Sequence, residues 1–171
     1  MAEPVIIVDY DPRWPDVFHE LSTRVSDVLE DVALTVAHVG STSVVGLAAK
    51  PIIDMDVVVR CEADVARAIE LLARLGYNHI GNQGIPGREA FSTPSGLPDH
   101  HLYICVESSE EYRRHIAFRD YLRDNLDALT EYAALKRALA ERYRDDREAY
   151  TEGKSEYIEA VLRRAIDQKH K

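Results

Sequence analysis

The hydrophobic positions change period several times along the chain, and each change marks an element. "VIIV" (Val5–Val8) is an unbroken apolar run that predicts a short buried strand. Trp14, Phe18, Leu21, Val25, Val28 and Leu29 then recur at three- and four-residue steps, an amphipathic helix with Pro15 in its first turn. "LTVAHV" (Leu34–Val39) is β-branched and strand-like, and a Gly-Ser turn with a short helix near Thr42–Ala49 leads to a second strand, "IIDMDVVV". "EADVARAIELLARLG" returns to helical spacing, with Gly76 as its C-terminal cap. The next stretch, "GNQGIPGREAFSTPSGLPDHH", holds four Gly and three Pro. It reads as a mobile loop plus a hairpin whose strands are "REAFST" and "HHLYICV". From Ser109 the period is helical almost to the end, in segments of about 109–125, 128–145 and 147–169. The expected fold is therefore α+β: a mixed sheet flanked by helices over residues 1–108, followed by a helical bundle over 109–171 that packs on it as one compact unit.

Charge divides at the same boundary. Residues 1–108 carry 7 Lys/Arg against 16 Asp/Glu, whereas 109–171 carry 14 of each, for a net charge of −9. An acidic first half argues against binding nucleic acid, which requires Lys and Arg to neutralise phosphates. If that half handles a phosphorylated ligand, a divalent cation is the natural intermediary. The N-terminus lacks a basic region followed by a long apolar run, and no apolar stretch approaches the ~20 residues of a membrane span. Cys61 and Cys105 lack CxxC spacing and read as reduced core or near-core thiols, consistent with a cytoplasmic protein.

Two features carry chemistry. Asp54 and Asp56 alternate with Ile53, Met55 and Val57, so both carboxylates point to one face of an otherwise apolar strand. Such a pair is costly to desolvate and repels itself unless a cation sits between its members, and Mg²⁺ suits carboxylates, water and phosphate together. Upstream, Gly40 permits a sharp bend, and Ser41, Thr42 and Ser43 stand where a helix start favours an anion. One feature is a metal seat and the other a phosphate seat.

The pattern apolar–Gly–Ser, twelve residues, then Asp–apolar–Asp–apolar resembles the signature of the nucleotidyltransferase superfamily, with its DNA polymerase β-like fold. "YDPRWPDVF", "HVGSTSVVGLAAKPIIDMDV", "HHLY", "FRDYLRDN", "YAALKRALA" and "YTEGKSEYI" further resemble, in order, the blocks of one family within it, the GrpB or UPF0157 proteins. A related segment also occurs fused to some dephospho-coenzyme A kinases. The resemblance implies that Gly40 and Ser41 contact nucleotide phosphates and that Asp54 and Asp56 ligate Mg²⁺. Val45 stands where relatives commonly have Pro, and Tyr103 where they have His. The superfamily usually adds a third carboxylate from a later strand; none is evident in "DHHLYICV", and His101 is the candidate base in its place.

Other polar residues extend the expected site. His100 and His101 take opposite faces, so only one can look inward. His38 is placed to hydrogen-bond near the turn. Arg88, in the glycine-rich stretch, can clamp phosphate. Arg119, Lys136 and Lys154 lie on helices beside Tyr132, Tyr150 and Tyr157, where rings and basic tips can meet a nucleotide. Three functions are compatible with these residues. The first is Mg²⁺-dependent binding of a nucleoside triphosphate with transfer to a small acceptor. The second is a nucleotide- or coenzyme-binding accessory module without turnover, and the third an interaction domain in which the aspartates are incidental.

Overall fold

The computed structural model describes residues 3–170. Five strands form one mixed sheet: β1 (Ala33–Val39), β2 (Ile53–Val59), β3 (Asn78–Gly81), β4 (Arg88–Ser92) and β5 (His100–Val106), in the order β1-β2-β5-β4-β3. Strands β2 and β5 are parallel and every other pairing is antiparallel. The central position of β2 explains its composition, because both neighbours are strands and both faces are covered.

Alternation along these strands separates two layers. Ile53, Met55, Val57 and Val59 of β2 join Leu102 and Ile104 of β5 in the main core. Helices α1 (Trp14–Leu29) and α2 (Glu62–Ala73) cover that face. Helix α1 contributes Trp14, Leu21, Val25 and Leu29 and starts with Pro15, whose missing N–H costs nothing in a first turn. Gly76, at φ +89, supplies the left-handed residue that lets the chain leave α2 for β3.

Three helices follow β5: α3 (Glu110–Asp124), α4 (Leu126–Arg142) and α5 (Arg147–Lys169). Ser109 caps α3 by accepting from the Tyr112 N–H at 3.2 Å, and Asp146 caps α5 through Ala149 at 3.0 Å. A smaller core joins Val44 and Leu47, after the Gly-Ser turn, to Leu122 of α3 and Ala128 and Tyr132 of α4. The helical part is thus held directly to the turn.

Three local expectations change. Val5–Val8 is not a sheet strand: Val5 N–H donates to Arg144 O at 2.7 Å, and Val8 makes a single bridge with Ala49. The run ties the α4–α5 connection to the segment before β2, with Val5 packed beside Ala140 and Tyr150. The helix expected near Thr42–Ala49 shrinks to one 3₁₀ turn, Ser41–Ser43. Beyond that turn Val44 and Leu47 enter the smaller core, and Ser43 O accepts from Arg123 of α3 rather than from a further helical turn. Cys105 is buried, but Cys61 is exposed just ahead of α2.

Candidate functional site

The side of the sheet away from the main core forms one wall of a cleft of about 740 Å³, and α3, α4 and α5 form the others. Register places the predicted residues. Asp54 on β2 lies beside His101 on β5, and Asp56 beside Tyr103. His101 Nδ1–H donates to Asp54 Oδ1 at 2.8 Å, leaving Nε2 toward the cleft. His100 faces the other way: it is buried, donates from Nδ1 to Pro98 O at 2.6 Å, and accepts from the Tyr77 hydroxyl at 2.7 Å.

Gly40 meets Asp54 directly. Its φ is +71, and a Cβ there would lie 2.9 Å from Asp54 Cγ, with Oδ2 nearer still. Glycine is required because backbone and carboxylate approach too closely for any side chain. Ser41 and Thr42 line the cleft beside it. The Ser43 hydroxyl instead donates to Gly40 O at 2.5 Å, closing the turn. With only one 3₁₀ turn present, the anion-favouring helix start expected here reduces to the turn itself.

Asp56 is fully buried, and burial pushes its carboxyl up while the His115 hydrogen bond opposes the shift. Oδ2 accepts from His115 Nδ1–H at 2.6 Å, and His115 Nε2–H reaches Glu111 Oε1 at 3.0 Å. Burial opposes charge on His115, but the two carboxylates outweigh it and raise the imidazole to about 10. Asp56 Oδ1 has no partner although it is buried. A carboxylate oxygen left without a donor in this way suits a cation. Among the described residues no group of three or more His, Cys, Asp or Glu could hold a metal ion. Mg²⁺ needs fewer protein ligands, taking one or two carboxylates with waters and phosphate oxygens, so the Asp54–Asp56 pair fits it.

The opposite wall is cationic. Lys136 is only 2% exposed, donates to Ala48 O, and lies 4.7 Å over the Tyr132 ring. Lys154 and Lys50 sit 4.5 and 5.4 Å over Tyr150. Burial, then mutual repulsion, lowers Lys136 to about 7 and Lys154 to about 8, and burial lowers Lys50 too. Among the described residues none of the three forms an ion pair. Six Lys/Arg line the cleft (Lys50, Arg88, Arg114, Lys136, Arg147 and Lys154) against Asp54 and Glu111, in a chain whose net charge is −9. Arg88 projects from β4 with its guanidinium 4.4 Å over the Tyr103 ring.

Arg119 does not line the cleft, and His38 reaches the turn from outside it. Arg119 donates to His38 O at 3.1 Å and pairs with Asp120 at 2.8 Å. Arg123 likewise donates to Ser43 O, so the two arginines clip the end of β1 and the turn after it to α3. His38 is level with Met55 and so on the core side of the sheet, where it stacks on Phe18 at 4.5 Å. Its Nε2 meets Thr42 Oγ1 at 2.9 Å, and burial lowers its pKa to about 4, leaving it neutral. His115, Glu111 and Lys50 were missed as site residues. Lys50 lies within the block "HVGSTSVVGLAAKPIIDMDV" and could have been read from it; nothing in the polar run "EEYRRHIAFRD" singles out His115.

A family model, "GrpB protein", matches residues 4–164. The chain belongs to the GrpB family. A crystal structure of conserved protein GrpB from Enterococcus faecalis superposes with a TM-score of 0.87 at 34% identity, covering 97% of this chain and all of that one. The UPF0157 protein YqkA of Bacillus subtilis is 36% identical over 157 residues; these cover 92% of this GrpB chain but only 46% of YqkA. The same fold occurs in Cid1 poly(U) polymerase with MgGTP bound, at a TM-score of 0.57 and 15% identity over 80% of this chain and 45% of that one. The GrpB chain therefore has a nucleotidyltransferase-like fold: a five-stranded mixed sheet flanked by helices. No helix among the described residues is long and apolar enough to cross a membrane.

Proposed function

We propose that this GrpB protein binds a nucleoside triphosphate with Mg²⁺ and transfers its nucleotidyl group to a small, non-nucleic-acid acceptor in the cytoplasm. The observation that carries this reading is Asp54, with the buried Asp56 beside it and one oxygen of Asp56 unpartnered, set across one cleft from lysines that form no ion pair among the described residues. Asp54 and Asp56 would hold Mg²⁺, which when bound would offset charge developing on the phosphates. Gly40 and Ser41 bring backbone close to the same place, while Lys50, Lys136 and Lys154 face a polyanion that would relieve their mutual repulsion. His101, oriented through Nδ1 by Asp54, keeps Nε2 free to take the proton of an attacking hydroxyl or amine. In that step the acceptor atom bonds to the α-phosphorus, the α–β bridging bond breaks, and pyrophosphate leaves.

Calorimetry with ATP, GTP, CTP and UTP, with and without Mg²⁺, tests the reading on wild type and on Asp54→Asn/Asp56→Asn. Metal-dependent binding that vanishes in the variant is expected, with pyrophosphate release as the readout for acceptors. No binding of any nucleotide at millimolar concentration would end the transferase reading. A second reading, a nucleotide- or coenzyme-binding module without turnover, is favoured by the absence of a third carboxylate on β5, where His101 and Tyr103 occupy the facing positions. Binding without product would identify it.

A further inference from the structure

The cations of the cleft fall into two neighbourhoods, at opposite ends of β2. Lys136 is influenced by Lys154, Lys50, Arg137 and Asp54, and Lys154 by Lys50, Asp54 and Arg147. Arg88 belongs to a different neighbourhood: its charge is felt by Tyr103, Cys105 and Glu111. Register agrees with this separation. Arg88 pairs with Cys105, which pairs with Val58, so Arg88 lies two strands from β2 and level with its C-terminal end. Lys50 precedes β2, at the other end. Asp54 and His101 lie between these two positions.

The surroundings of Arg88 also differ from those of the lysines. Its Nε is buried without a partner, and among the described residues no carboxylate lies within ion-pairing distance of it. An arginine held in place by a tyrosine ring and engaged in no direct ion pair, with Glu111 the carboxylate that feels its charge, presents its planar fork to whatever enters the cleft. Next to it the β3–β4 hairpin offers an apolar shelf of Ile80, Ile85 and Ala90, all lining the cleft, with Ile80 48% exposed. A large apolar side chain half-open inside a polar cleft is a place for the apolar part of a ligand.

We propose that Arg88 and the Ile80–Ile85 shelf form an acceptor subsite, which takes a small anion, carboxylate or phosphate, with an apolar body. This assignment rests on the transferase reading for the word acceptor, but the anion site itself does not. A molecule held there by its anion would place a hydroxyl or amine toward His101 Nε2, between the shelf and the lysine wall.

The test uses the full chain and three non-reacting probes of similar body: phenyl phosphate, benzoate and neutral benzyl alcohol. Binding is followed by NMR through the amides of Ile80, Arg88 and Ala90, and folding of each variant by circular dichroism. At least one anion should bind at these amides about tenfold or more tightly than benzyl alcohol, the scale of a charge-assisted pair. Which of the two anions binds distinguishes phosphate from carboxylate recognition. Arg88→Gln should remove the preference and Arg88→Lys should restore part of it, while Lys154→Gln leaves it within about twofold. Equal binding of all three probes, an anion response confined to the lysine wall, or an equal loss in Lys154→Gln would overturn the proposal. Nucleotide calorimetry separates the two readings. Nucleotide binding without an anion response at Arg88 removes only the subsite, whereas an anion response without nucleotide binding removes the transferase reading and leaves the anion site.

Discussion

On the sheet side of the cleft each carboxylate of the pair has a histidine, His101 on Asp54 and His115 on Asp56. Facing the helices, Lys136 of α4, Lys154 of α5 and Lys50 just before β2 share two tyrosine rings and form no ion pair among the described residues. The first wall satisfies its own hydrogen bonds except at one buried oxygen of Asp56. The second is left repelling itself. A wall that supplies its own partners contributes to folding, whereas an unbalanced one spends stability that only a ligand returns. The comparison predicts opposite signs when each is mutated.

The largest effect should come from His115→Ala. It leaves Asp56 buried without its partner, and breaking one side of a buried pair costs about 3–5 kcal/mol. Urea unfolding measures the loss, and adding Asp56→Asn should recover part of it, giving a non-additive cycle. If the double variant instead loses the full sum, the Asp56–His115 contact is not the coupling. Gly40→Ala comes next, at about 2–4 kcal/mol, because it adds strain at φ +71 to a clash with Asp54. The same urea measurement applies, and a loss below about 1 kcal/mol would mean that the turn yields easily.

Lys136→Met tests the other wall, with the sign reversed. Removing an uncompensated buried charge should stabilise the fold by about 1–2 kcal/mol at neutral pH, while weakening nucleotide binding about tenfold or more. The pH dependence follows from the lowered lysine. Its folded pKa is about 7 against an ordinary 10.5, so between those values the unfolded chain binds more protons than the folded one. Stability must then rise with pH across that window. Thermal unfolding from pH 7 to 10.5 should show a rise for wild type that is smaller in Lys136→Met. An identical slope in both would show that Lys136 is not the source.

Much of this contrast was legible along the chain. The alternation of Asp54 and Asp56 with apolar residues fixed their shared face, and the adjacency of His100 and His101 meant that only one could look in. Helical spacing located α1, α2 and the three later helices because their buried stripes recur locally. What escaped depends on long-range pairing. His115 acquires its role from the approach of α3 to β2, 59 residues away in sequence, and nothing in its own segment distinguishes it from a solvated residue. Gly40 was legible as a sharp bend, but its decisive neighbour is the Asp54 side chain on the next strand. "VIIV" had the composition of a strand and spends its backbone bonds on Arg144 and Ala49 instead. His38 was equally readable as a prop or a ligand until its register with Met55 placed it on the core side.

Arg119 gives the smallest expected effect and sharpens the comparison most directly, since it is a cation beside the site that belongs to neither wall. Its guanidinium is committed to His38 O and Asp120, outside the cleft. Arg119→Gln should therefore cost about 1 kcal/mol of stability through the lost charge-assisted bond to the end of β1. It should change nucleotide affinity by no more than about twofold, a shift within ~0.5 kcal/mol. Lys154→Gln, by contrast, removes a lysine of the wall and should weaken nucleotide binding several-fold without loss of stability. Paired calorimetry and urea unfolding on the two variants separate the cases. If Arg119→Gln reduces affinity as much as Lys154→Gln does, the strand end it clips is part of the binding surface, and the cationic wall extends past the lysines to α3.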